Sequence, residues 1–357
     1  MTLDSLTLDK LQTKIKVLPK KHVFFLKTHK TGSTTLYSIL AEFCRNQHLF
    51  PLMPRGAHIN IFYPRLQTRM LELFPGVAKY DMVFNHQIFD PAIYDYLHND
   101  TFTFTIIRKP RENFISSFNY WSQIGGWQYL VGIPGPDKLF SYFLNPRKYE
   151  PDNVFMSFTN NRQSVDLGFD VRNHRFNDTE YIKTFIRRLD RYFDLVLIFE
   201  YYNESLVMLK RWLGWTTKDI LYFKKLKFTN LAESQKRTTT MTEGQERLFD
   251  AVTPADNALY DHFLSVFKEK MSKEKHLKEE VEEFRQVLHK VTVFCGSADH
   301  VQLNIPAGRW TDQVSILRPN CHFLLLDEQN FTQFLKTNNR KYLKTTKRTK
   351  RSSLEVF

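Results

Sequence analysis

The most chemically distinctive stretch of the chain is KTHKTGSTT, residues 27–35. It combines two lysines, a histidine, a single glycine and five hydroxyl side chains. Ammonium and hydroxyl groups bind anions, and a glycine lets the backbone come close to one. The stretch therefore indicates a cradle for a phosphate or sulfate group.

The flanking residues predict how this loop is held. Residues 22–26 form an apolar run that predicts a buried strand, and the amphipathic residues 33–46 predict a helix. The backbone N–H groups and the dipole at a helix start favour a bound anion. The loop is not a Walker A motif, because Lys30 precedes its only glycine, Gly32. An ordinary turn with a serine capping the helix is the alternative interpretation.

A second anion-binding element is predicted in IIRKPRENFISSF, residues 106–118. Arg108 ends a predicted strand at 101–108, and Pro110 suits the first turn of a helix. Ser116 lies about two helical turns after Arg108, so both side chains can face one pocket and bind a second phosphate. Taken alone, Arg108 is equally well explained as a surface arginine and Ser116 as a residue that merely fills the helix.

Further strands are predicted at residues 80–86 and 193–201, a helix at 204–214, and one or two helices at 256–290. Strands that alternate with helices at this spacing predict an α/β fold with a mostly parallel central sheet and helices on both faces. Ligands of such sheets bind at the carboxyl ends of the strands, where residues 27–32, 86 and 108 all lie.

The composition limits the classes of binding partner but does not select one of them. The 357 residues carry a formal charge of +13, which favours nucleic acid, a membrane surface or a small polyanion. No signal peptide, membrane span or metal-ligand spacing is visible in the sequence. Cys295 and Cys321 can form a disulfide in an oxidising compartment. Four N-x-S/T sequons favour a glycosylated, lumenal protein, and they lie at Asn99, Asn177, Asn203 and Asn330.

The wording of both anion-binding elements resembles the galactose-3-O-sulfotransferase family. FLKTHKTGSTT is similar to the 5'-phosphosulfate loop, and IIRKPRENFISSF to the 3'-phosphate element, of enzymes that use 3'-phosphoadenosine 5'-phosphosulfate (PAPS). Similarity continues through NNRQSVDLGFD (160–170) and FDLVLIFEYYNESLVMLKRWLGW (193–215), so that it covers roughly residues 22–270. It implies a P-loop-like sulfotransferase fold.

The resemblance implies transfer of a sulfuryl group from PAPS to the 3-hydroxyl of a terminal galactose, on a galactosylceramide-type glycolipid or a glycoprotein glycan, with no metal required. By resemblance, Lys30 meets the bridging oxygen of the leaving group, and Arg108 and Ser116 hold the 3'-phosphate. The loop residues assigned to the donor are Lys27, Thr28, His29, Lys30, Thr31, Gly32, Ser33, Thr34 and Thr35.

A base must also take the proton of the acceptor hydroxyl. His86, at the end of a predicted strand, is the candidate, because neutral imidazole suits that task near pH 7. His29 is the competing base. Asn85 and Gln87 flank His86 and are predicted to orient it or to bind the sugar. Arg162 and Asp166 are acceptor candidates, since their segment matches a family segment near the acceptor site.

Family members are usually Golgi membrane proteins with an N-terminal anchor, so the resemblance implies the Golgi lumen or membrane. We predict an N-terminal extension at 1–20, a catalytic domain at 21–295, a C-terminal extension packed on it at 296–335, and a basic, disordered tail at 336–357. A PAPS-dependent enzyme with another glycan or a small alcohol as acceptor is one alternative. A basic protein that binds nucleic acid or another anion is an alternative of a different class.

Overall fold

Short strands and longer helices alternate along the chain. The computed structural model describes residues 18–56, 60–62, 65–124, 128–172, 177–223, 241–297 and 300–354. The strands in these ranges are β1 (Val23–Leu26), β2 (Met53–Pro54), β3 (Asn60–Phe62), β4 (Leu71–Glu72), β5 (Met82–Val83), β6 (His86–Gln87), β7 (Phe102–Ile107), β8 (Leu195–Ile198), β9 (Gln302–Ile305) and β10 (Val314–Leu317).

The helices frame these strands. They are α1 (Ser33–Asn46), α2 (Pro110–Asn119), α3 (Gln128–Val131), α4 (Lys138–Leu144), α5 (Pro146–Tyr149), α6 (Arg162–Asp166), α7 (Thr179–Tyr192), α8 (Tyr202–Leu213), α9 (Glu243–Val252), α10 (Pro254–Ser272), α11 (Leu277–Gly296), α12 (Arg318–Leu325) and α13 (Glu328–Leu354). A π-helical turn, Tyr120–Ile124, continues α2. None of the described helices combines the length and the apolar character needed to cross a bilayer.

The central sheet has the order β5-β1-β7-β8, and all its neighbouring strands are parallel. All four residues of β1 and all six of β7 are buried, as expected for strands covered on both faces. This arrangement confirms the predicted α/β class with a parallel central sheet. The carboxyl ends of β1 and β7 therefore lie side by side.

The predicted strand at 80–86 is divided in the structure. Met82 and Val83 pair with β1 as β5, whereas His86 and Gln87 form β6 and pair with β3. A parallel bridge still joins Lys27 to His86. The chain thus leaves the sheet after two residues and returns beside the end of β1, which brings His86 to the loop.

The structure describes a helix in the segment 336–357 that the sequence predicts to be a disordered tail. Helix α13 runs through it to Leu354, and Phe331 and Leu335 are buried one turn apart against the core. Lys336 is also buried, and its Nζ donates to the carbonyl oxygen of Gly56 at 2.6 Å. Phe331 and Leu335 precede this basic segment, and within it Leu343 continues their helical spacing and packs against the core.

The C-terminal elements are covalently tied together. Cys295 in α11 and Cys321 in α12 form a disulfide, the bond that the sequence allows in an oxidising compartment. The proposed domain boundaries stay predictions. Of the sequons, Asn99 lies exposed in a turn, whereas Asn203 lies within α8, where the hydroxyl of Ser205 is buried and bonded to Ile198.

Candidate functional site

The loop after β1 turns sharply at two residues. Lys30 and Gly32 have φ angles of +58° and +75°. A Cβ at position 32 would lie 2.7 Å from Cε2 of Phe199, so only glycine fits there. Helix α1 then begins at Ser33 with no side-chain cap and no acidic residue in its first turn. The alternative of a serine-capped turn is therefore wrong, and the helix start keeps the character of an anion site.

The hydroxyl groups of the loop divide into two sets. Thr28, Thr31 and Ser33 are buried, and their hydroxyls bond within the loop and to β7. Ser33, for example, donates to the carbonyl oxygen of Thr28 at 2.5 Å. Thr34 is exposed, and Thr35 is half-buried. The first set shapes the loop, and the second set is the one placed to reach a ligand.

The two lysines of the loop have different surroundings. Lys27 is 2% exposed, and its Nζ lies 2.9 Å from Oε1 of Glu328 and 2.8 Å from Nε2 of His86. Thr34 donates to the same Glu328 oxygen at 2.8 Å. Lys30 instead places its Nζ 3.9 Å from the centre of the Tyr120 ring, a cation–π contact. A carboxylate from α13 thus bonds two side chains that the sequence assigns to a phosphate.

His86 is held in one tautomer by Lys27. Its Nδ1 lies 3.1 Å from the carbonyl oxygen of Lys27, so Nδ1 must carry the hydrogen and donate. The Nε2 lone pair then accepts from the Lys27 ammonium. Burial, and next the charge of Lys27, lower the pKa of His86 well below its ordinary value. This geometry opposes the predicted base role, because the nitrogen that would accept a proton is occupied.

His29 has the orientation expected of a base. Its Nδ1 lies 2.9 Å from Oδ2 of Asp166, which also accepts from the His29 backbone N–H at 2.8 Å. The carboxylate fixes Nδ1 as the protonated nitrogen and leaves Nε2 as the acceptor. The ring stacks on His86 with a centroid distance of 4.1 Å. Burial lowers the pKa of His29, although the charge of Asp166 opposes that effect.

Asp166 and Arg162 form a buried pair behind His29. The Arg162 guanidinium donates to Asp166 and to the carbonyl oxygens of Phe155 and Ser157, the latter two at 2.9 Å. Burial alone would raise the pKa of Asp166, but the charges of Arg162 and His29 keep it below its ordinary value. Both residues were predicted to bind the acceptor. Their observed contacts instead hold His29 in place.

The second predicted anion element meets the first at the end of the sheet. Nη1 of Arg108 donates to the carbonyl oxygen of Lys30 at 3.3 Å, and Nδ2 of Asn113 donates to that of His29 at 2.8 Å. The guanidinium lies 4.6 Å from the centre of the Phe199 ring. Its Nε is buried and has no hydrogen-bond partner among the described residues. Ser116 lies half-buried on α2.

The two amides that flank His86 are enclosed. Asn85 and Gln87 are each 1% exposed. Neither side-chain polar atom of Gln87 has a hydrogen-bond partner in the described part of the chain. A buried polar atom without a partner costs about 1–3 kcal/mol, so Gln87 is suited to receive a ligand or a water molecule.

Comparisons with known proteins bear directly on this site. The sequence profile described as galactose-3-O-sulfotransferase matches residues 6–318. The chain belongs to the galactose-3-O-sulfotransferase family.

Individual relatives in this family are similar over most of the chain. Galactose-3-O-sulfotransferase 2 of Mus musculus is 30% identical over 293 residues, which are 79% of this chain and 71% of the relative. Galactose-3-O-sulfotransferase 3 of Mus musculus is 34% identical over 69% of this chain and 56% of the relative. Galactosylceramide sulfotransferase of Homo sapiens is 29% identical over 79% of this chain and 66% of the relative.

The sequence reasoning missed several residues of this candidate site. The side-chain amide of Gln163 bonds the backbone of Arg108 twice. Its Oε1 accepts from the Arg108 N–H at 2.7 Å, and its Nε2 donates to the Arg108 carbonyl oxygen at 2.9 Å. Tyr202 donates to the carbonyl oxygen of Gly32 at 3.2 Å. Glu328 comes from α13, about three hundred residues after Lys27 in sequence. Gln163 lies within the matched segment NNRQSVDLGFD, which was the available signal, whereas nothing in the sequence pointed to Glu328.

Proposed function

We propose that this protein transfers a sulfuryl group from PAPS to the 3-hydroxyl of a terminal galactose. The observation that carries this proposal is the junction of two anion-binding elements beside a His–Asp pair. The loop at 27–35 and the Arg108 element meet at the carboxyl edge of β1 and β7, joined by the bonds to Lys30 and His29. A nucleotide that carries phosphates on both its 5' and 3' sides requires two such elements at one edge.

In the proposed reaction, the galactose 3-oxygen attacks sulfur while the bond from sulfur to the 5'-phosphate oxygen breaks. The leaving group, adenosine 3',5'-bisphosphate, keeps the electron pair of that bond. Lys30 neutralises the charge that develops on the bridging oxygen, and Lys27 and the start of α1 hold the 5'-phosphate. Positioning and charge neutralisation supply most of the rate increase in a displacement of this kind.

We assign the proton transfer to Nε2 of His29, in place of the predicted His86. Asp166 holds His29 in the tautomer that accepts at Nε2, and it stabilises the imidazolium that forms when the hydroxyl proton arrives. The role we give His86 is to hold the Lys27 ammonium, which lies 2.8 Å from its Nε2. Arg108 and Ser116 keep their proposed role at the 3'-phosphate.

The acceptor is proposed to enter through a cleft of about 360 Å³ that is lined by Phe89, whose backbone N–H donates to the carbonyl oxygen of Asp166 at 2.8 Å. Its walls include Phe89 and Phe169, which follow Gln87 and Asp166 within three residues in the chain. Asp170 and Arg172 also line it and form an ion pair at 2.7 Å. Aromatic faces with a few charged hydrogen-bonding groups are typical of sugar sites. A terminal galactose of a glycolipid or glycan is the acceptor that we propose.

The direct test is transfer of radiolabelled sulfate from PAPS to galactosylceramide, to a soluble β-galactoside and to the matching 3-deoxygalactoside. We expect product with the first two acceptors and none with the third. Lys30→Ala should lower turnover at least about a hundredfold, whereas Lys183→Ala, an exposed lysine paired with Glu180, should not change it. Transfer to the 3-deoxygalactoside at an equal rate would reject the proposed position of sulfation.

Donor binding is tested separately by thermal unfolding. Adenosine 3',5'-bisphosphate should protect the protein far better than AMP does, since only the former occupies both anion elements. Equal protection by the two nucleotides would reject the PAPS assignment. Arg172→Ala should raise the KM for the galactoside and leave this protection unchanged, which separates a failed acceptor assignment from a failed donor assignment.

A further inference from the structure

A second cluster of chemically active side chains lies at the opposite edge of the central sheet. His22 immediately precedes β1, Asp81 immediately precedes β5, and His98 lies in the connection that leads to β7. Parallel strands begin at the same edge, so these three residues meet although they are far apart in sequence. Lys27 lies five positions after His22, about 17 Å along an extended strand. The cluster is therefore distinct from the sulfotransferase site.

The three side chains each bring one possible ligand atom into a single cluster. Oδ1 of Asp81 lies 3.6 Å from Nε2 of His22 and 3.5 Å from Nε2 of His98. All three ligand atoms lie within 4.8 Å of one another. A tetrahedral zinc ion with bonds of about 2.0–2.2 Å separates its ligand atoms by roughly 3.3–3.5 Å. We propose that His22, Asp81 and His98 bind a divalent transition metal ion, Zn²⁺, with a water molecule as fourth ligand.

The surrounding contacts prepare these atoms for a cation. Oδ1 of Asp100 lies 2.6 Å from Nδ1 of His22, which puts the hydrogen on Nδ1 and turns the Nε2 lone pair toward Asp81. A carboxylate that bonds the outer nitrogen of a histidine ligand is the usual support of a zinc site. The other oxygen of Asp81, Oδ2, accepts from the backbone N–H of Phe50 at 2.7 Å. Only Oδ1 then remains to face the two imidazoles.

This arrangement needs a positive centre to be favourable. The His22 lone pair faces a carboxylate oxygen, and two acceptors at that separation repel each other unless a cation lies between them. The two imidazole rings stack with a centroid distance of 3.9 Å and an interplanar angle of 12°, and both Nε2 atoms lie near the same Asp81 oxygen. Lone pairs lie in the ring planes, so the rings must rotate apart when they bind one ion. Two carboxylates, Asp81 and Asp100, contribute negative charge here. A metal ion accounts for the facing acceptor atoms, the approach of both Nε2 atoms to one oxygen and the two nearby carboxylates. A proton on one imidazole is the competing explanation.

The bound ion would connect the starts of three adjacent strands. The backbone already joins them, since Val23 donates to the carbonyl oxygen of Asp81 at 2.8 Å and Phe102 to that of His22 at 3.0 Å. An ion held by side chains from each connection adds a cross-link to these bonds. Its role is thus to stabilise the fold, because binding to the folded state alone raises its stability.

The experiment uses the full chain, free of any affinity tag and stripped of metal with EDTA. Titration with ZnCl₂ by calorimetry should give one tight site and a raised Tm, and Co²⁺ should give the intense visible bands of a tetrahedral complex. His98→Ala should weaken the site at least about a hundredfold, and Asp100→Asn, which changes only the supporting contact, about 10- to 100-fold. His262→Ala is the matched control, because His262 has a single Asp190 partner at 3.0 Å on the surface.

Two results would overturn the metal site. The first is equal Zn²⁺ affinity in the parent protein and in His98→Ala with the metal-free Tm of the variant unchanged. The second is a Tm that does not rise with Zn²⁺, together with an NMR titration in which protonation of His22 accompanies the change in stability. That second outcome would assign the cluster to a proton instead of a metal.

Discussion

Replacing His29 and His86 separately tests which of these two stacked histidines is the base. In His29→Ala, the Nε2 acceptor disappears, while Lys27 keeps its bonds to His86 and Glu328. General base catalysis contributes about 10²–10⁴-fold, or roughly 3–5 kcal/mol of the barrier. We therefore expect kcat to fall about 10³-fold with little change in the affinity for adenosine 3',5'-bisphosphate.

His86→Ala should give the opposite pattern. It removes the acceptor that holds the Lys27 ammonium at 2.8 Å but leaves the His29–Asp166 pair intact. A hydrogen bond to a charged group is worth about 1.5–3 kcal/mol, so the affinity for adenosine 3',5'-bisphosphate should weaken about 10- to 100-fold. The kcat at saturating donor should fall much less than in His29→Ala.

The assay is single-turnover sulfate transfer at saturating donor, with donor-product affinity measured by calorimetry and folding checked by thermal unfolding. Free imidazole should partly restore transfer by His29→Ala, because the side chain is 11% exposed and the space it leaves opens to solvent. His262→Ala serves as the control for loss of a surface histidine that pairs with an aspartate.

The pH profile supplies an independent check. The neutral imidazole is the active form, and burial lowers the pKa of His29 below its ordinary 6.5. The rate should therefore stay on its plateau as the pH falls through 6.5 and should decline only at lower pH. Near-normal kcat in His29→Ala, combined with a collapse of kcat in His86→Ala, would refute this reasoning and return the base to His86.

Three further perturbations test other parts of the structure. Gly32→Ala places a Cβ 2.7 Å from Phe199 at a φ of +75°, so we expect a loss of about 1–3 kcal/mol of stability and weaker donor binding, measured by denaturant unfolding and calorimetry; Gly244→Ala, which meets no atom within 4 Å, should be neutral or stabilising. Glu328→Gln removes the carboxylate charge next to Lys27 and Thr34, so adenosine 3',5'-bisphosphate should bind about tenfold more tightly. Glu243→Gln is the exposed control. Unchanged affinity in Glu328→Gln would contradict the idea that Glu328 competes with the nucleotide for the loop. Reduction of the Cys295–Cys321 bond opens a loop with a sequence separation of 26, which should lower the free energy of unfolding by about 3.5 kcal/mol by the chain-entropy relation. A thermal scan with and without reductant should show the lower Tm. A Tm that does not respond to the reductant would show that α12 is held by packing alone.

Much of the donor side of the site was predictable from sequence. The strand-loop-helix at 22–46 follows from an apolar run, one glycine and an amphipathic period, and these are local properties of the chain. Arg108 was placed at the same edge because parallel strands share one carboxyl end. The sequence did not predict that helix α13 continues into the basic segment after residue 335, because Leu343 is one apolar residue among many charged neighbours there.

The sequence by itself determined the strand and helix that flank the predicted anion-binding loop, and the family to which the chain belongs, because these depend on residue types at short spacing. The tertiary structure alone decided the partners of each titratable group. Lys27 donates to Nε2 of His86, and Asp166 orients His29. His22 and His98 lie next to Asp81 at the opposite edge of the sheet. The Lys27–His86 and His29–Asp166 pairs join residues that are 59 and 137 positions apart. Protonation and hydrogen bonding depend on distances of a few ångströms between those groups, and only the packed sheet fixes such distances.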